Sequence, residues 1–416
     1  MIDLALIKEN KEALLENFKK RDPERDYHLD EILALDTKRR TLLQKVEEKK
    51  AARNQKSLRK PSAQEIASLK QLGEEIKDLD HEIAATENAR NELLGELPNI
   101  TVEEVVAGGK ENNRVIFTNK EQPKFKFPIS DHVQLAEKLK IIDYARAVKI
   151  SGSGYWLYRG DGALLEWALL NYFISYHQKN NYTFIIPPFL LTEQSAFTSG
   201  HLPKFREDLF WTQDSTCLNA TSEMMLGNLH RDEVVPAADL PLKYFAFSVC
   251  FRREAGGYRK EEKGMIRGHQ FNKIEMFQLT RPEESTIAFA EMLKHAETLV
   301  KKLDLHFRTT QLAAGDCSAA MAKTCDIEVW LPSMDDYKEV SSVSNALDYQ
   351  ARRGNIRFNN PETKDKDYVH TLNGSGLATS RILPAILEQN QMRDGRVLVP
   401  KVLRAWVGKK YLNPVN

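Results

Sequence analysis

Apolar residues near the N-terminus recur at alternating steps of three and four, the heptad spacing of long helices that pair with each other. The pattern predicts a short helix over 3–20 and a long helix that starts near Leu29 and ends before Pro61. A second long helix is predicted from Ser62, with Glu65 completing a capping box. Its seam comprises Leu69, Leu72, Ile76, Leu79, Ile83, Thr86, Arg90, Leu93 and Leu97. We therefore expect an antiparallel two-helix coiled-coil arm over about 29–97, with each helix about 45 Å long.

The two predicted arm helices carry opposite charge. Residues 38–60 include ten basic and two acidic side chains, whereas 62–97 include nine acidic and three basic ones. Charge pairing between the helices accounts for this pattern. A basic helix that follows a nucleic-acid phosphate backbone accounts for it as well. The two interpretations are compatible, and the sequence alone leaves both open.

A change in amino-acid composition near Pro98 separates the charge-rich helical region from a mixed region that holds most of the Gly, Trp and Phe. NYTFIIPPFLL is predicted as one buried strand, and YFAFSVCFRRE with NKIEMFQLTRP as a hairpin with a long loop. CDIEVWLP and YKEVSSVSNALDYQ form a second strand pair that leads into a short helix, and GSGLATSRILPAILEQNQ is predicted as a helix with a glycine-rich start. The pattern is typical of an α+β fold, an antiparallel sheet flanked by helices.

Composition narrows the class of protein. The 416 residues carry 60 basic and 59 acidic side chains, a net charge of +1, which excludes a uniformly basic nucleic-acid coat. Four Cys exclude a disulfide scaffold and favour free thiols in a reducing compartment. No apolar run approaches the roughly 20 residues that a membrane helix needs, so we expect no membrane association and a cytoplasmic location.

The candidate chemistry rests on Arg and Glu residues, because the common phosphate-loop, dinucleotide, zinc and hydrolase motifs are missing from the sequence. Arg252 and Glu254 alternate along one predicted strand and so share a face, and Glu275 lies on the next strand. Glu339 and Arg381 lie on later elements. Guanidinium groups bind phosphates and carboxylates hold a metal or an ammonium, so this set indicates a site for a triphosphate and an amino acid.

Several segments resemble the bacterial seryl-tRNA synthetases, a class II aminoacyl-tRNA synthetase family. Residues 248–279, SVCFRREAGGYRKEEKGMIRGHQFNKIEMFQL, resemble motif 2, and residues 371–388, TLNGSGLATSRILPAILE, resemble motif 3. NYTFIIPPFLL is similar to the end of motif 1, and the charged N-terminal arm is similar to the family's tRNA-binding arm. The resemblance implies an N-terminal tRNA-binding domain over 1–110 and a class II catalytic domain over 111–416.

The resemblance also implies roles for individual residues. Arg252 and Arg381 would be the catalytic arginines, on the α- and γ-phosphates of ATP. The implied ATP-binding set is Arg252, Arg253, Glu254, Phe271, Glu339, Val340, Ser341, Ser342 and Arg381. The implied serine-binding set is Thr221, Ser222, Glu223, Glu275 and Ser375. Glu339 and Ser342 would hold Mg²⁺ through ATP. The implied tRNA contacts are Lys38, Arg39, Lys45, Lys49, Arg53 and Lys56.

The activity implied by the resemblance is activation of L-serine to seryl-adenylate, then transfer to the 3′-terminal ribose of tRNA(Ser), by a homodimer. Whether a selenocysteine tRNA, tRNA(Sec), is also charged stays open. Two other classes remain as alternatives: a paralogue that activates a small amino acid for a carrier protein, and a non-catalytic RNA-binding paralogue. The arm argues against the first alternative, and retention of the Arg and Glu set argues against the second.

Overall fold

The structure, a computed structural model, describes residues 1–56, 63–255 and 264–415. The chain divides into two compact units, Met1–Ile100 and Thr101–Asn416. The division falls close to the change in composition near Pro98, and about ten residues before the domain boundary expected from the family resemblance. Among the described residues, no helix has the length and apolar character needed to cross a membrane.

Helices form the N-terminal unit. They are α1 (Leu4–Glu9), α2 (Lys11–Lys19), α3 (Leu29–Lys56) and α4 (Ala63–Glu96). The prediction of one short helix over 3–20 is wrong, because Asn10 interrupts it with φ −149°. The Asn10 side chain accepts a hydrogen bond from the Ala13 amide and so caps a second helix. The predicted Ser62–Glu65 capping box lies outside the residues described in this detail.

Helices α3 and α4 pair as the heptad pattern predicts. Leu42 and Val46 of α3 pack with Ile76 and Ile83 of α4 in a small buried cluster. Ion pairs join Lys38 to Glu82 and Lys49 to Glu75, so residue numbers rise along one helix as they fall along the other. The helices are therefore antiparallel, and the predicted two-helix arm is confirmed.

Charge pairing between the arm helices accounts for much of their opposite charge. Lys38 lies 2.8 Å from Glu82 and Lys49 lies 2.5 Å from Glu75, and Arg39 pairs with Glu87. Because these groups are partly exposed, each pair contributes at most about 1 kcal/mol. Of the other residues predicted to contact tRNA, Lys45 is exposed and Arg53 is half-buried. The side chain of Lys56 lies outside the described part of the chain.

One buried carboxylate joins three of these helices. Asp36 of α3 is 3% exposed and accepts a hydrogen bond from Arg90 of α4 at 3.0 Å. Its second oxygen lies 2.8 Å from Lys8 of α1 and 3.2 Å from Arg40. Burial by itself raises the pKa of Asp36, but hydrogen bonding and charge from Lys8 and Arg90 outweigh it, so the pKa is lowered. The ionised carboxylate therefore stabilises the native unit.

We expect Asp36→Ala to destabilise the N-terminal unit by about 2–4 kcal/mol, because the largely buried Arg90 loses its counter-charge. Since folding lowers the pKa of Asp36, its contribution is present above the unfolded value of about 3.9 and is lost as the pH falls through the folded value. Hydrogen exchange of α3 and α4 amides in the full chain measures the effect. Lys50→Ala, at the exposed Lys50–Asp80 pair, is the control and should change little; equal exchange in the two variants would contradict the assignment.

Strands of the second unit are numbered in chain order. They are β1 (Arg114–Asn119), β2 (Thr183–Ile185), β3 (Leu190–Thr192), β4 (Thr216–Leu218), β5 (Val234–Val235), β6 (Leu242–Phe251), β7 (Gln270–Thr280), β8 (Phe307–Gln311), β9 (Lys323–Leu331), β10 (Asp336–Leu347), β11 (Arg357–Asn359), β12 (Lys366–Tyr368), β13 (His370–Ala378), β14 (Val397–Leu398) and β15 (Tyr411–Leu412). Eight of them form one sheet in the order β1-β8-β9-β10-β13-β7-β6-β2. Every pair in that sheet is antiparallel except β2–β6.

Helices of this unit pack on the large sheet and between its connections. They are α5 (His132–Leu139), α6 (Tyr144–Ser151), α7 (Asp161–Lys179), α8 (Glu193–Thr198), α9 (Glu223–Leu226), α10 (Ser285–Lys302), α11 (Tyr349–Gly354), α12 (Thr379–Gln389) and α13 (Arg404–Val407). The largest buried core joins residues of α5, α7, α10 and α12 to the central strands. The α+β prediction of an antiparallel sheet flanked by helices is confirmed.

Three local predictions in this unit are wrong. Strand β6 ends at Phe251, so Arg252 and Glu254 follow the strand and do not alternate along it. NYTFIIPPFLL is not one buried strand: β2 is a short edge strand, and β3 belongs to a separate two-stranded sheet with β4. Pro187 and Pro188 separate them, because proline cannot donate to a strand ladder. The segment Gly374–Ala378 is not the start of a helix but the end of β13, and α12 begins at Thr379. At Gly374 a Cβ would lie 2.9 Å from the Met292 sulfur, so tight packing selects glycine.

Candidate active site

A cavity at the sheet brings together most of the side chains predicted to bind ATP. Arg252 follows β6, Phe271 lies on β7, Glu339 on β10 and Arg381 on α12. The predicted residues that line the cavity are Arg252, Glu254, Phe271, Glu339, Val340, Ser375 and Arg381. Ile266, Arg267, Gly268, Lys273, Ala378 and Ser380 complete its wall. Segments distant in sequence thus meet in one place, as the resemblance requires.

Arg252 is held at one side of this cavity. Its Nε donates to the carbonyl of Ala220 at 3.3 Å, and its guanidinium carbon lies 5.1 Å from the centre of the Phe271 ring. The ring and the carbonyl fix the plane of the guanidinium group. A positioned guanidinium of this kind suits a phosphate.

Glu254 and Arg253 differ in placement. Glu254 has φ +53°, a left-handed conformation that costs energy for a non-glycine residue, and its carboxylate lies 2.6 Å from Nε of Arg267. Arg253 is exposed, and its amide donates to the carbonyl of Asp208. The side chain of Arg253, unlike those of its two neighbours, is not part of the cavity wall.

Arg381 closes the other end of the cavity. Its Nε donates to the carbonyl of Ile266 at 3.1 Å, and its Nη1 donates to the carbonyl of Glu339 at 2.8 Å. The Glu339 carboxylate lies 3.4 Å from the same nitrogen. Two backbone acceptors therefore aim the guanidinium, and its charge is only partly matched by a half-exposed carboxylate.

An acidic region adjoins this end of the cavity. Glu339 and Arg381 also line a neighbouring cavity, together with Asp326 of β9 and Ser342 of β10. Burial, followed by the charge of Glu339, raises the pKa of Asp326 well above its usual range. Among the described residues, no group of three or more His, Cys, Asp or Glu side chains could hold a metal by itself. Mg²⁺ commonly takes one or two protein carboxylates and substrate phosphates, so these oxygens fit an ion that arrives with a triphosphate.

A buried polar network lies beneath the cavity. Lys273 and Glu275 of β7 form an ion pair at 2.6 Å, and both are almost fully buried. Lys273 also donates to the Thr221 hydroxyl at 2.6 Å, while Ser375 donates to Glu275 at 3.2 Å. Ser341 of β10 donates to the backbone carbonyl of Ser375 on β13 at 2.6 Å and so fixes the position of Ser375. Three predicted serine-binding side chains therefore meet around one lysine.

The other predicted serine-binding residues lie at the edge of this network. Glu223 accepts a hydrogen bond from Gln350 at 2.6 Å, and burial, followed by the nearby charge of Glu275, raises the pKa of Glu223 to about 7. Ser222 is fully buried and donates to the hydroxyl of Ser248 at 2.7 Å, so its single hydroxyl proton is already used.

Sequence reasoning missed four charged or amide side chains of the site: Lys273, Arg267, Asp326 and Gln350. A signal for Lys273 exists, because it alternates with Phe271 and Glu275 along β7 and must share their face. Asp326 stands in the quoted segment CDIEVWLP, but only the pairing of β9 with β10 brings it opposite Ser342. Arg267 and Gln350 carry no spacing signal; tertiary packing alone places them.

Comparisons with known proteins cover the whole chain. A model described as "Seryl-tRNA synthetase N-terminal domain" matches residues 1–101, and one described as "tRNA synthetase class II core domain (G, H, P, S and T)" matches 208–390. Serine–tRNA ligase 2 of Clostridium acetobutylicum is 49% identical over 99% of this chain and 100% of its own. The serine–tRNA ligase of Petrotoga mobilis is 43% identical over 99% and 100%.

A solved structure agrees with these matches. Seryl-tRNA synthetase from Pyrococcus horikoshii, complexed with ATP, superposes with a TM-score of 0.92 at 33% identity and covers 100% of both chains. The likeness extends over the arm as well as the sheet, because neither chain is left partly unmatched.

We expect Glu223→Gln to remove a pH-dependent loss of stability. Folding raises the pKa of Glu223 to about 7, so the wild-type chain loses stability between pH 4.5 and 7, whereas a neutral glutamine does not. The variant should therefore gain about 1–3 kcal/mol relative to wild type at pH 8 and little at pH 4.5. Calorimetric unfolding midpoints across this range measure the difference. Exposed Glu137→Gln is the control, and a pH-independent offset in Glu223→Gln would contradict the assignment.

Proposed function

The chain belongs to the seryl-tRNA synthetase family, and from this premise we propose that it is a serine–tRNA ligase, which activates L-serine with ATP and esterifies it to tRNA. The observation that carries this proposal is the meeting of Arg252 and Arg381 in one cavity above the buried Glu275 network. A cavity lined by two guanidinium groups, next to buried carboxylates, suits an amino acid and a triphosphate.

In the activation step, Arg252 binds the α-phosphate of ATP and Arg381 binds the γ-phosphate, while the adenine stacks on Phe271 beside Glu254. The serine carboxylate attacks the α-phosphorus in line, and the bond to pyrophosphate breaks. Positioning and charge neutralisation supply most of the acceleration in such displacements. The carbonyls that fix Arg252 and Arg381 support these roles, since the guanidinium groups need little reorganisation. Val340 forms part of the same wall, and Ser341 supports Ser375 from below.

Magnesium fits the oxygen donors at the Arg381 end. Glu339 and Ser342 are the residues that would hold Mg²⁺ together with ATP, with Asp326 beside them. When bound there, the ion would neutralise phosphate charge. The carbonyls of Ile266 and Glu339 orient Arg381 next to these donors.

Serine recognition falls to the buried network. Thr221, Glu223, Glu275 and Ser375 supply oxygen atoms for an ammonium and a hydroxyl, and Lys273 balances their charge. A site built to hydrogen-bond a hydroxyl leaves buried groups unpaired when alanine binds, so it rejects alanine. The packed side chains around these oxygens oppose the extra methyl of threonine. Ser222 contributes by holding the loop against Ser248.

The transfer step and the assembly complete the proposal. The 3′-terminal ribose hydroxyl of tRNA(Ser) attacks the seryl carbonyl and AMP leaves, while the arm contacts tRNA through exposed basic side chains such as Lys45.

Exposed apolar side chains on α6 and α7, including Ile150 and Trp167, support a homodimer. Four buried free cysteines support a reducing, cytoplasmic location. The carrier-protein and non-catalytic alternatives are not favoured by the full-length serine–tRNA ligase relatives.

Amino-acid-dependent ATP–pyrophosphate exchange tests the proposed function. We expect exchange with serine and far less with alanine, glycine or threonine, followed by charging of purified tRNA(Ser) in the same preparation. Arg252→Ala tests the assignment of Arg252 to the α-phosphate. This variant should lower serine-dependent exchange about 100- to 1000-fold, the scale of one lost transition-state donor. A preference for another amino acid, or an unchanged rate in the variant, would contradict the proposal.

Deletion of residues 29–94 tests the role of the arm. Serine-dependent exchange should persist, because the cavity and its network lie wholly within Thr101–Asn416. Charging of tRNA should be abolished, because the basic residues of α3 are removed. A calorimetric scan of the truncated chain is the control for folding of the second unit. Charging at the wild-type rate would refute the assignment of the arm to tRNA binding.

A further inference from the structure

We call the cavity lined by Arg252, Phe271 and Arg381 the nucleotide cavity. Apart from the acidic cavity near Asp326, a second cavity opens beside it and shares three of its side chains. The shared residues are Arg252, Glu254 and Arg267. Its remaining wall includes His201, Phe205 and Ala220. The activation chemistry described above uses neither His201 nor Phe205, so the cavity holds a histidine and an aromatic ring without an assigned task.

The two cavities meet where acyl transfer has to occur. Arg252 donates to the carbonyl of Ala220, and the next residue, Thr221, accepts from Lys273 of the serine network. The carbonyl carbon of an aminoacyl-adenylate lies between its amino-acid site and its α-phosphate site. A group that enters through the second cavity therefore approaches this carbon from the Arg252 and Ala220 side.

We propose that the second cavity binds the 3′-terminal nucleoside of tRNA, and that Nε2 of His201 accepts a hydrogen bond from its ribose hydroxyl and orients that hydroxyl for attack. This inference rests on the proposed function and adds an acceptor-end site to it. Phe205 supplies a ring face on which the terminal base stacks, a common mode of binding unpaired nucleotides.

The hydrogen bonds around His201 accommodate the tautomer that this role needs. The Ser199 hydroxyl has a single proton, which it donates to the carbonyl of Ala196 at 3.1 Å. With the hydroxyl proton on that carbonyl, Nδ1 of His201, 2.9 Å from the same hydroxyl, is the donor in the pair. In a neutral imidazole the other nitrogen, Nε2, then carries the lone pair. Gln350 donates to the backbone carbonyl of Ser199 at 2.9 Å, and this buried hydrogen bond fixes the backbone next to His201.

The charge around His201 keeps the ring neutral. Burial, followed by the positive charges of Arg252, Lys273 and Arg353, lowers the pKa of His201 to about 3. The imidazole therefore offers an acceptor at physiological pH instead of a second N–H donor. The His201 and Phe205 ring centres lie 6.1 Å apart, so a ribose on one and its base on the other is sterically reasonable for a single nucleoside.

The test separates activation from transfer in the full-length chain. His201→Leu removes the acceptor, His201→Gln retains an acceptor oxygen, and His230→Gln is a matched control in which the histidine bonds Glu233 and Tyr244 and does not line this cavity. Serine-dependent pyrophosphate exchange reports activation. Single-turnover transfer from preformed enzyme-bound adenylate to tRNA(Ser) reports the second step.

His201→Leu should slow transfer about 10- to 100-fold, the scale of one lost hydrogen bond to an ordered group, with exchange unchanged. His201→Gln should restore most of the transfer rate, and His230→Gln should match wild type in both assays. Wild-type transfer in His201→Leu, or an equal fall in exchange and transfer, would overturn the proposal. Absence of serine-dependent exchange in the wild-type chain would instead overturn the proposed function.

A binding readout tests the cavity independently of activity. A tRNA transcript with 2-aminopurine as its terminal base should be quenched on binding the wild-type chain, because the base stacks on Phe205. Phe205→Leu should lose this quenching, whereas His230→Gln should keep it. Equal quenching in Phe205→Leu and wild type would place the terminal base elsewhere and overturn the inference.

Discussion

The buried ion pair of Lys273 and Glu275 is the interaction on which the site depends. Both side chains are almost fully buried and lie two residues apart on β7, in the interior of the large sheet. Without the ammonium, Glu275 would face Glu223 in a desolvated space, and two neighbouring carboxylates cannot both stay ionised there at low cost. Lys273 also lines the nucleotide cavity, so one charge serves both halves of the site.

The antiparallel sheet explains how separate sequence segments converge. Strand period two puts Phe271, Lys273 and Glu275 on one face of β7, and the register of β13 against β7 sets Ser375 opposite Glu275. The neighbouring strand β10 brings Glu339 to the same end, next to the start of α12 and Arg381. Each functional side chain thus sits on or beside a regular element, which holds it more firmly than a loop would.

The arm, the fold class and most cavity residues could be predicted from the sequence, because they depend on hydrophobic periodicity or on the family motifs. Prediction failed where a local side-chain bond or the chain's tertiary path decided the outcome. Asn10 splits a helical pattern because its side chain caps the next helix, and Gly374–Ala378 extends a strand because β7 continues to pair with it. Arg267 and Gln350 reach the site through packing that no spacing encodes. The roles assigned to individual site residues stay predictions.

The carboxylate of Asp36 has a mechanical consequence. It ties Lys8, near the start of the chain, to α3 and α4 at the root of the arm. The helix from Arg90 back to Ala63 is about 40 Å long, so a tilt of about 5° at the root would displace the far end by about 3–4 Å. A small shift of Lys8 would therefore be amplified along α4, and fusions or truncations near Met1 would displace the Ala63 end of that helix most.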